Sequence, residues 1–438
     1  MLTELKNFNA KVKKINSWNL TYCQKVLVVY PLNLKELKDI VIILKKKKKT
    51  FIIKTGECSY DSKSILSDKD GVVVSLKNFN KIIKLNKKKE ILSVESGAKI
   101  SEVVYFLKKK NLTLYSIPGG EHVSIGGAIS ANVIGKDSSK LVASFGDSIR
   151  NLKIISYQGV VKRLKNNSKE FLTYIGSFGM SGIILEATIK TKKIVSNNLL
   201  VETKILKNIK EIESELKKKS EYKYIQVDPF FRKKNFAIAF NGNSIKNFEN
   251  KYRKKNLKPN IFEVLLFKIS SFFINSITWK IFYNLFFIIN RNKKYLVDIH
   301  NFHYTSKYKH MIPLICKKGL IDYEISIQKN FNHLFIEIQK FLTDNQLAPI
   351  YIIVKKLFKS KKRFFYSFNS NAYAVAISFN LKDLNGIKKE RFEKLLKKRK
   401  LLLNLSKTDS QYIAKKAKID SPKNEIFMSL YKKMLISK

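Results

Sequence analysis

Cysteine, histidine and acidic side chains are all scarce in this chain, and glycine is thinly spread outside one stretch. Cys23, Cys58 and Cys316 are odd in number and far apart. That excludes a disulfide framework and a Cys-based zinc pattern, and it fits a reducing cytoplasm. Five histidines leave little for metal binding. His300, His303 and His310 have loose metal-like spacing with only Asp298 beside them, and packing explains them better than a metal does. The N-terminus MLTELKNFNAKVKKINSWN lacks the apolar core of a signal peptide. There is also no long uncharged apolar run. In IFEVLLFKISSFFINSITWKIFYNLFFIIN, residues 261–290, Lys268 and Lys280 interrupt the stretch before the ~20 residues a spanning helix needs. Two readings stay open there: buried helix, or an amphipathic segment that snorkels its lysines while its aromatics touch lipid.

Acidic residues number 34 against 86 Lys+Arg, a formal net charge of +52 over 438 residues. Such a balance points to an anionic partner, nucleic acid or membrane. Nearly all of it is lysine, however, and lysine rises together with Ile, Asn, Phe and Tyr, which an AT-rich coding bias enriches as a group. The charge therefore reads first as drift. No nucleic-acid-binding motif accompanies it, so no nucleic-acid partner is expected. Hydrophobic residues at 45% are ample for cores.

Residues 20–190 alternate short strands and helices. KVLVVYP and TFIIKTG read as strands, LNLKELKDIVIILKKKKK as a helix, GVVVSLKNFNKIIKLNKKKEILSVESGA as strands with turns, and AKISEVVYFLKKKNL as a helix. LKIISYQGVVKRL is a hairpin turning at Gln158-Gly159. Beyond Asn197 the glycine punctuation stops and longer elements follow. A final helix is expected in EIFMSLYKKML. No internal repeat is present.

One stretch escapes the lysine enrichment: IPGGEHVSIGGAISANVIGK, residues 117–136. Gly119-Gly120 and Gly126-Gly127 would let backbone N–H groups approach an anion without a Cβ in the way, with AISAN reading as a following helix start. A diphosphate or dinucleotide wants such a surface; a tightly packed sheet-to-helix loop would also produce it. No G-x-G-x-x-G follows the first strand, and Gly135-Lys136 is followed by Asp137 with Ser130 in place of the leading glycine. Rossmann and Walker sites are therefore both excluded.

Three blocks in register, PGGEHVSIGGAISANVIGK, SFGDSIRNLKIISYQG and IGSFGMSGIILEATI, resemble the FAD-binding domain of the vanillyl-alcohol-oxidase superfamily. Their order and spacing are most similar to the decaprenylphosphoryl-ribose 2-oxidase family. A weaker likeness continues through GLIDYEIS and VKKLF to LSKTDS. The resemblance implies an α+β fold: a PCMH-type, two-subdomain FAD-binding domain over 1–195, an antiparallel-sheet substrate cap over 196–400, and a segment 401–438 returning to the FAD domain. It implies non-covalent FAD held by a first loop from Lys54 to Asp61 (Thr55, Gly56, Cys58, Ser59, Tyr60). The second loop would run from Ile117 to Gly127 (Pro118, Gly119, Gly120, Val123, Gly126, Gly127). Ala131, Asn132, Gly135 and Lys136 would run along the flavin, with Gly182 and Ile183 in the stretch 179–183. Lys407, Lys136 and Tyr60 fall at catalytic positions, and Glu324 and Lys356 at substrate positions.

The activity implied is oxidation of the 2-hydroxyl of a polyprenyl-phosphate-linked ribose to a keto sugar. A short-chain reductase partner would complete epimerisation to arabinose, and the enzyme would work in the cytoplasm at the inner face of a membrane. The chain departs from the family pattern in places. The first loop, KTGECSYDS, carries Glu57, Cys58 and Asp61 where Gly and Arg are usual. Ile134 replaces a histidine, Ala376 a cysteine, Glu324 a glutamine and Asn404 an aromatic. Two other functions remain open: a soluble sugar or aldonolactone oxidase, although no histidine follows His333 to form the usual His-Trp-x-Lys-like ending, and a flavin-free relative with a damaged first loop.

Overall fold

In the computed structural model, residues 2–60, 65–66, 70–156, 158–245, 252–255, 265, 276–304, 316, 318–362, 364, 368, 370–384 and 386–407 are described. The expected C-terminal helix, Asp61 and His310 lie outside them. Helix and strand mix throughout, as an α+β fold requires, and among the described residues the strands form three sheets.

The first sheet holds β1 (Lys11–Asn16), β2 (Cys23–Val29), β3 (Phe51–Lys54) and β4 (Val72–Ser75) in the order β1-β2-β4-β3. β2, β3 and β4 are parallel, and β1 is antiparallel to β2. The helix Leu34–Lys46 carries the chain from β2 to β3, which lie on either side of β4. Leu37, Ile40, Val41 and Leu44 form its buried stripe at helical spacing, and the Asn33 side chain caps it by accepting from Glu36 N.

The second sheet holds β5 (Ile82–Asn86), β6 (Ile91–Glu95), β7 (Leu112–Leu114), β8 (Ile149–Ser156), β9 (Val161–Lys165) and β10 (Gly182–Lys193). Its order is β5-β6-β10-β8-β9, with β7 also on β10. β8 and β9 form the expected hairpin, and Gly159 takes φ +88°, a left-handed turn residue. Ile155, Ile183 and Leu185 pack with Val29, Val72 and Val74, joining the first two sheets through one core.

The third sheet is antiparallel: β11 (Asn198–Leu206), β12 (Tyr222–Val227), β13 (Ala237–Ser244), β14 (Lys294–Asp298), β15 (Leu320–Ile327), β16 (Tyr351–Leu357), β17 (Ala372–Asn380) and β18 (Leu402–Leu403). Its order is β14-β11-β13-β12-β16-β17-β15-β18. Helices Ile209–Lys217, Phe331–Asp344 and Gly386–Lys398 cover one face, burying Ile212, Phe335 and Phe392 against Val354 and Ile377. The opposite face is left for a site. The passage from second to third sheet falls between Lys193 and Asn198. β18, close to the last described residue, joins the third sheet beside β15.

The glycine stretch differs from expectation in one detail. The helix begins at Ile125, capped by Ser124, so Gly126-Gly127 sit inside its first turn rather than ahead of AISAN. With six residues it is too short to supply much of a dipole, and any anion there must be held by the turns themselves.

Candidate active site

A cavity of about 470 Å³ lies between the glycine loops of the first two sheets and the open face of the third. Its volume falls in the range of ligand pockets, about 300–1,000 Å³.

One end is bare backbone. A Cβ on Gly56 would stand 2.3 Å from the His122 carbonyl oxygen and 2.7 Å from Ser124 N, so the two expected loops touch main chain to main chain there. The Thr55 and Ser124 hydroxyls hydrogen-bond across the same seam, and Ser124 Oγ also accepts from Gly127 N at 3.2 Å. A Cβ on Gly135 would stand 2.5 Å from the Ile117 carbonyl oxygen, which ties the third loop in. On the cavity side the opposite holds. A Cβ on Gly119 would have its nearest neighbour at 3.9 Å, and Gly179, at φ +81°, would have none within 4 Å. Glycine closes the loops on one side and leaves naked backbone facing the cavity on the other. That surface fits a dinucleotide.

Charge in the first loop is arranged to match. Lys54 lines the cavity, and burial pulls its amine below the usual range while Glu57 opposes the shift. Glu57 sits at φ +54°, within electrostatic reach of both Lys54 and Lys13. The acidic intruder in this loop thus has lysines around it. The Cys58 thiol donates to the Gly56 carbonyl at 3.1 Å, a structural hydrogen bond.

The other end is built from strand periodicity. Along β16, Tyr351, Ile353 and Lys355 face the cavity while Ile352 and Val354 enter the core behind. Along β15, Asp322 and Glu324 face the same way. In register across the small residues of β17, Tyr351 and Asp322 flank Ser378, and Ile353 and Glu324 flank Ala376. Lys355 Nζ is 2.8 Å from Glu324 Oε1, and Asn404 Nδ2 donates to Glu324 Oε2 at 2.7 Å. Burial pushes the Glu324 carboxyl up, yet Lys355 and Lys407 hold it below the usual range. Asp322 accepts from Tyr351 Oη at 3.1 Å and lies 3.7 Å from Lys407 Nζ, which donates to Tyr60 Oη at 3.1 Å. Here burial outweighs the lysine and the Asp322 pKa is raised. Burial, then Asp322, pushes both Tyr60 and Tyr351 up, so both phenols stay protonated.

Lys136 has a different setting. Burial, reinforced by Lys355, lowers its pKa from 10.5 to about 7. Its Nζ donates to the carbonyls of Phe302 at 3.0 Å and His303 at 3.4 Å and stands over the Tyr224 ring at 4.7 Å. A neutral amine has two N–H donors and one lone pair. The two carbonyls use the donors and leave the lone pair for an incoming proton. Its neighbour Asp137 is pushed up to about 6 by burial and accepts from Ile117 N at 3.2 Å.

Beyond these groups the cavity turns aromatic. Trp279, Phe282, Tyr283 and Phe286 of the helix Ser276–Asn290 line it, with Trp279 and Phe282 stacked at 4.9 Å. Tyr283 Oη donates to the Ile350 carbonyl at 2.8 Å, pinning the helix over β16. The described part of the aromatic stretch is thus buried helix on its inner side.

Most residues expected from the sequence line this cavity, and three do not. Lys356 is corrected to Lys355, because alternation along β16 turns Lys356 away, over the Phe358 ring at 5.3 Å. Ile183 belongs to the core between the first two sheets, although its neighbours Gly182 and Ile184 line the cavity. The Asn132 side chain accepts from Gly146 N at 2.8 Å and shapes the loop from behind. Asp322, Tyr351 and Lys355 went unrecognised, although period-two reading of LIDYEIS and YIIVKKL would have found all three. Among the described residues no group of His, Cys, Asp and Glu could hold a metal. His303 is fully buried, edge-on to Tyr222 at 5.0 Å, and burial followed by Lys136 drives its pKa far down.

Residues 26–165 match the family model described as an FAD binding domain. The chain carries the FAD-binding domain of the FAD-linked oxidase superfamily. FAD is accordingly its cofactor, and the backbone cradle is where it fits. Among curated relatives, decaprenylphosphoryl-beta-D-ribose oxidase of Mycolicibacterium smegmatis is 28% identical over 123 residues, covering 27% of this chain and 26% of the relative. L-gulonolactone oxidase of Mus musculus is 23% identical over 216 residues, covering 48% of this chain and 47% of the relative. The matched stretches therefore span between about a quarter and half of those relatives' length. The crystal structure of cholesterol oxidase from B. sterolicum superposes with a TM-score of 0.76 at 10% identity, covering 98% of each chain, and shows the same fold. No helix of the described residues is long and apolar enough to cross a membrane.

Proposed function

We propose that this protein is an FAD-dependent oxidoreductase that oxidises the 2-hydroxyl of a polyprenyl-phosphate-linked ribose, at the inner face of a membrane, with a short-chain reductase completing epimerisation. One observation carries the reading: a single cavity passes from a glycine cradle, through a charge-paired cluster of hydroxyls, carboxylates and amines, to an aromatic wall. That sequence of surfaces matches dinucleotide, polyol and lipid tail in turn. The Mycolicibacterium relative, whose name gives a lipid-linked ribose, supports it.

FAD held in the glycine cradle would supply the two-electron acceptor for the hydrogen leaving the substrate carbon. The protein's share is the hydroxyl proton and the geometry. Lys407, held between Tyr60 and Asp322, donates to the substrate oxygen and steadies negative charge there. Lys136 takes the proton on its lone pair. Tyr60 and Tyr351, kept protonated, hold the Asp322 carboxylate in place and offer oxygen lone pairs to neighbouring sugar hydroxyls. Asp322, Glu324 and Asn404 supply acceptors, and Lys355 fixes Glu324.

The test is anaerobic mixing of the flavin-loaded protein with farnesylphosphoryl-ribose and, separately, with free aldonolactone. Bleaching of the flavin by the first alone supports the reading. Bleaching by the lactone alone overturns it in favour of a soluble aldonolactone oxidase. A purified protein that takes up no FAD overturns both.

A further inference from the structure

The helix Ser276–Asn290 has two faces, and the site uses only one. Opposite the aromatics, Ile277, Ile281, Leu285, Ile288 and Ile289 are between 53% and 69% exposed. At about 100° per residue they fall within an arc of about 120°. An exposed stripe of five large aliphatics on one helix exceeds the scattered apolar residues of an ordinary surface and marks a contact. Cations frame it. Lys280 is exposed on the helix itself, and Arg291, Lys293 and Lys294 are exposed at its end. Exposed Arg253 and Lys254 lie alongside, on the outer edge of β14, where Lys254 bridges Leu296. Among the described residues, Glu202 pairs with this rim, 2.7 Å from Lys294.

We propose that this outer face docks on an anionic lipid surface, making the helix the wall between bilayer and cavity. The aliphatics enter the acyl boundary, Lys280 snorkels back, and the basic rim meets lipid phosphates. A second copy of the chain is the poorer occupant, because it would bring an identical cationic rim from a molecule of net charge +52. The docking takes its purpose from the lipid-linked substrate proposed above: the inner aromatics receive the tail of a molecule whose anchor lies just beyond the outer aliphatics.

The experiment is flotation of the full-length flavin-loaded protein with two kinds of vesicle, phosphatidylcholine alone and phosphatidylcholine with about one-third phosphatidylglycerol. The wild type floats with the anionic vesicles at least tenfold more than with the neutral ones. The triple variant Ile281→Glu, Leu285→Glu, Ile288→Glu loses at least tenfold of that binding, with flavin content and melting temperature unchanged. A wild type that stays at the bottom of the gradient overturns the proposal. So does a triple variant that floats like the wild type. So does a dimer in vesicle-free buffer that the triple variant dissolves, which assigns the face to a second copy. If the triple variant loses its flavin, the single variant Leu285→Asn, read against the same vesicles, decides. Turnover of farnesylphosphoryl-ribose in vesicle-free buffer tests the enzymatic reading separately, so either can fail alone.

Discussion

Replacing Lys136 by methionine tests the proton acceptor directly. In the folded protein burial brings the pKa of Lys136 from 10.5 to about 7. At pH 7 about half the molecules then carry a free amine, whereas a lysine titrating at 10.5 is unprotonated in only about one molecule in 3,000. The gain in available base is about a thousandfold, part of which is returned because a weaker base accepts a proton less readily. The rate of flavin reduction under anaerobic conditions should therefore rise with pH through about 7 and level off above it. In Lys136→Met that limb should vanish and the plateau should fall by about 10²- to 10⁴-fold, the usual contribution of a positioned base. A fully flavin-loaded Lys136→Met that keeps both limb and plateau would refute the assignment.

Stability gives the same variant a second readout with a fixed sign. Between pH about 7 and 10.5 the unfolded chain holds a proton on Lys136 that the folded chain has released. The unfolded state binds more protons there, so stability rises with pH across that window. Lys136→Met removes the rise. It also leaves the Phe302 and His303 carbonyls without their donor, at about 1–3 kcal/mol. The variant is therefore read by the slope of melting temperature against pH, not by its absolute value.

Gly56→Ala drives a Cβ into the His122 carbonyl and pries the first two loops apart. Flavin content of the purified protein should drop severalfold, measured by absorbance ratio. Asp137→Asn tests the other buried titration. The folded pKa of Asp137 is about 6 against 3.8, so the folded state holds the extra proton and stability falls as pH rises through that window, by up to about 3 kcal/mol. The variant keeps an acceptor for Ile117 N, so it should melt higher than wild type at pH 7 and not at pH 4. Glu324→Gln removes the charge partner of Lys355 while keeping the Asn404 acceptor. The Michaelis constant for the phospho-sugar should change more than the flavin reduction rate at saturation, and a purely structural Glu324 would alter neither. Acid precipitation should release all flavin into the supernatant, as a cofactor held without a covalent bond requires; flavin retained in the pellet would point to Cys58, the cysteine of the first loop.

What the sequence revealed of this site divides by the kind of signal involved. The glycine cradle was legible because a backbone surface leaves a mark on composition: side chains are missing where they would obstruct. Strand alternation was equally present in LIDYEIS and YIIVKKL, yet positional likeness to a family gave Lys356, while the pleat puts Lys355 against Glu324. A one-residue error is invisible to resemblance and fatal to a strand, because it flips the side chain to the other face. Asp322 and Tyr351 were missed for another reason. Their importance rests on register across β17, which joins positions far apart in sequence through Ser378. The aromatic stretch left buried helix and lipid contact open. The helix Ser276–Asn290 has an inner aromatic face buried against the cavity and an outer aliphatic face that is exposed, so burial describes only one side of it.

The charge of the site runs against the charge of the chain. In a protein with 86 basic and 34 acidic side chains, two carboxylates stand two residues apart on β15, both almost wholly buried and facing one cavity. Each is matched by a lysine, Lys355 for Glu324 and Lys407 for Asp322. Compositional drift toward lysine cannot produce this pairing, because drift would remove acids from the cavity as readily as from the surface. A lysine-lined pocket without them would bind any small anion in the cell and hold it. With them, the reaction end offers alternating donors and acceptors and little net charge, which suits a polyhydroxyl substrate and leaves phosphate recognition to the outer lysines. The two carboxylates are then what keeps a strongly basic protein selective at its centre. The observation that decides the point is competition. Inorganic phosphate should inhibit the wild type weakly and a double Asp322→Asn, Glu324→Gln variant at least tenfold more strongly; equal inhibition would return the two acids to a purely structural role.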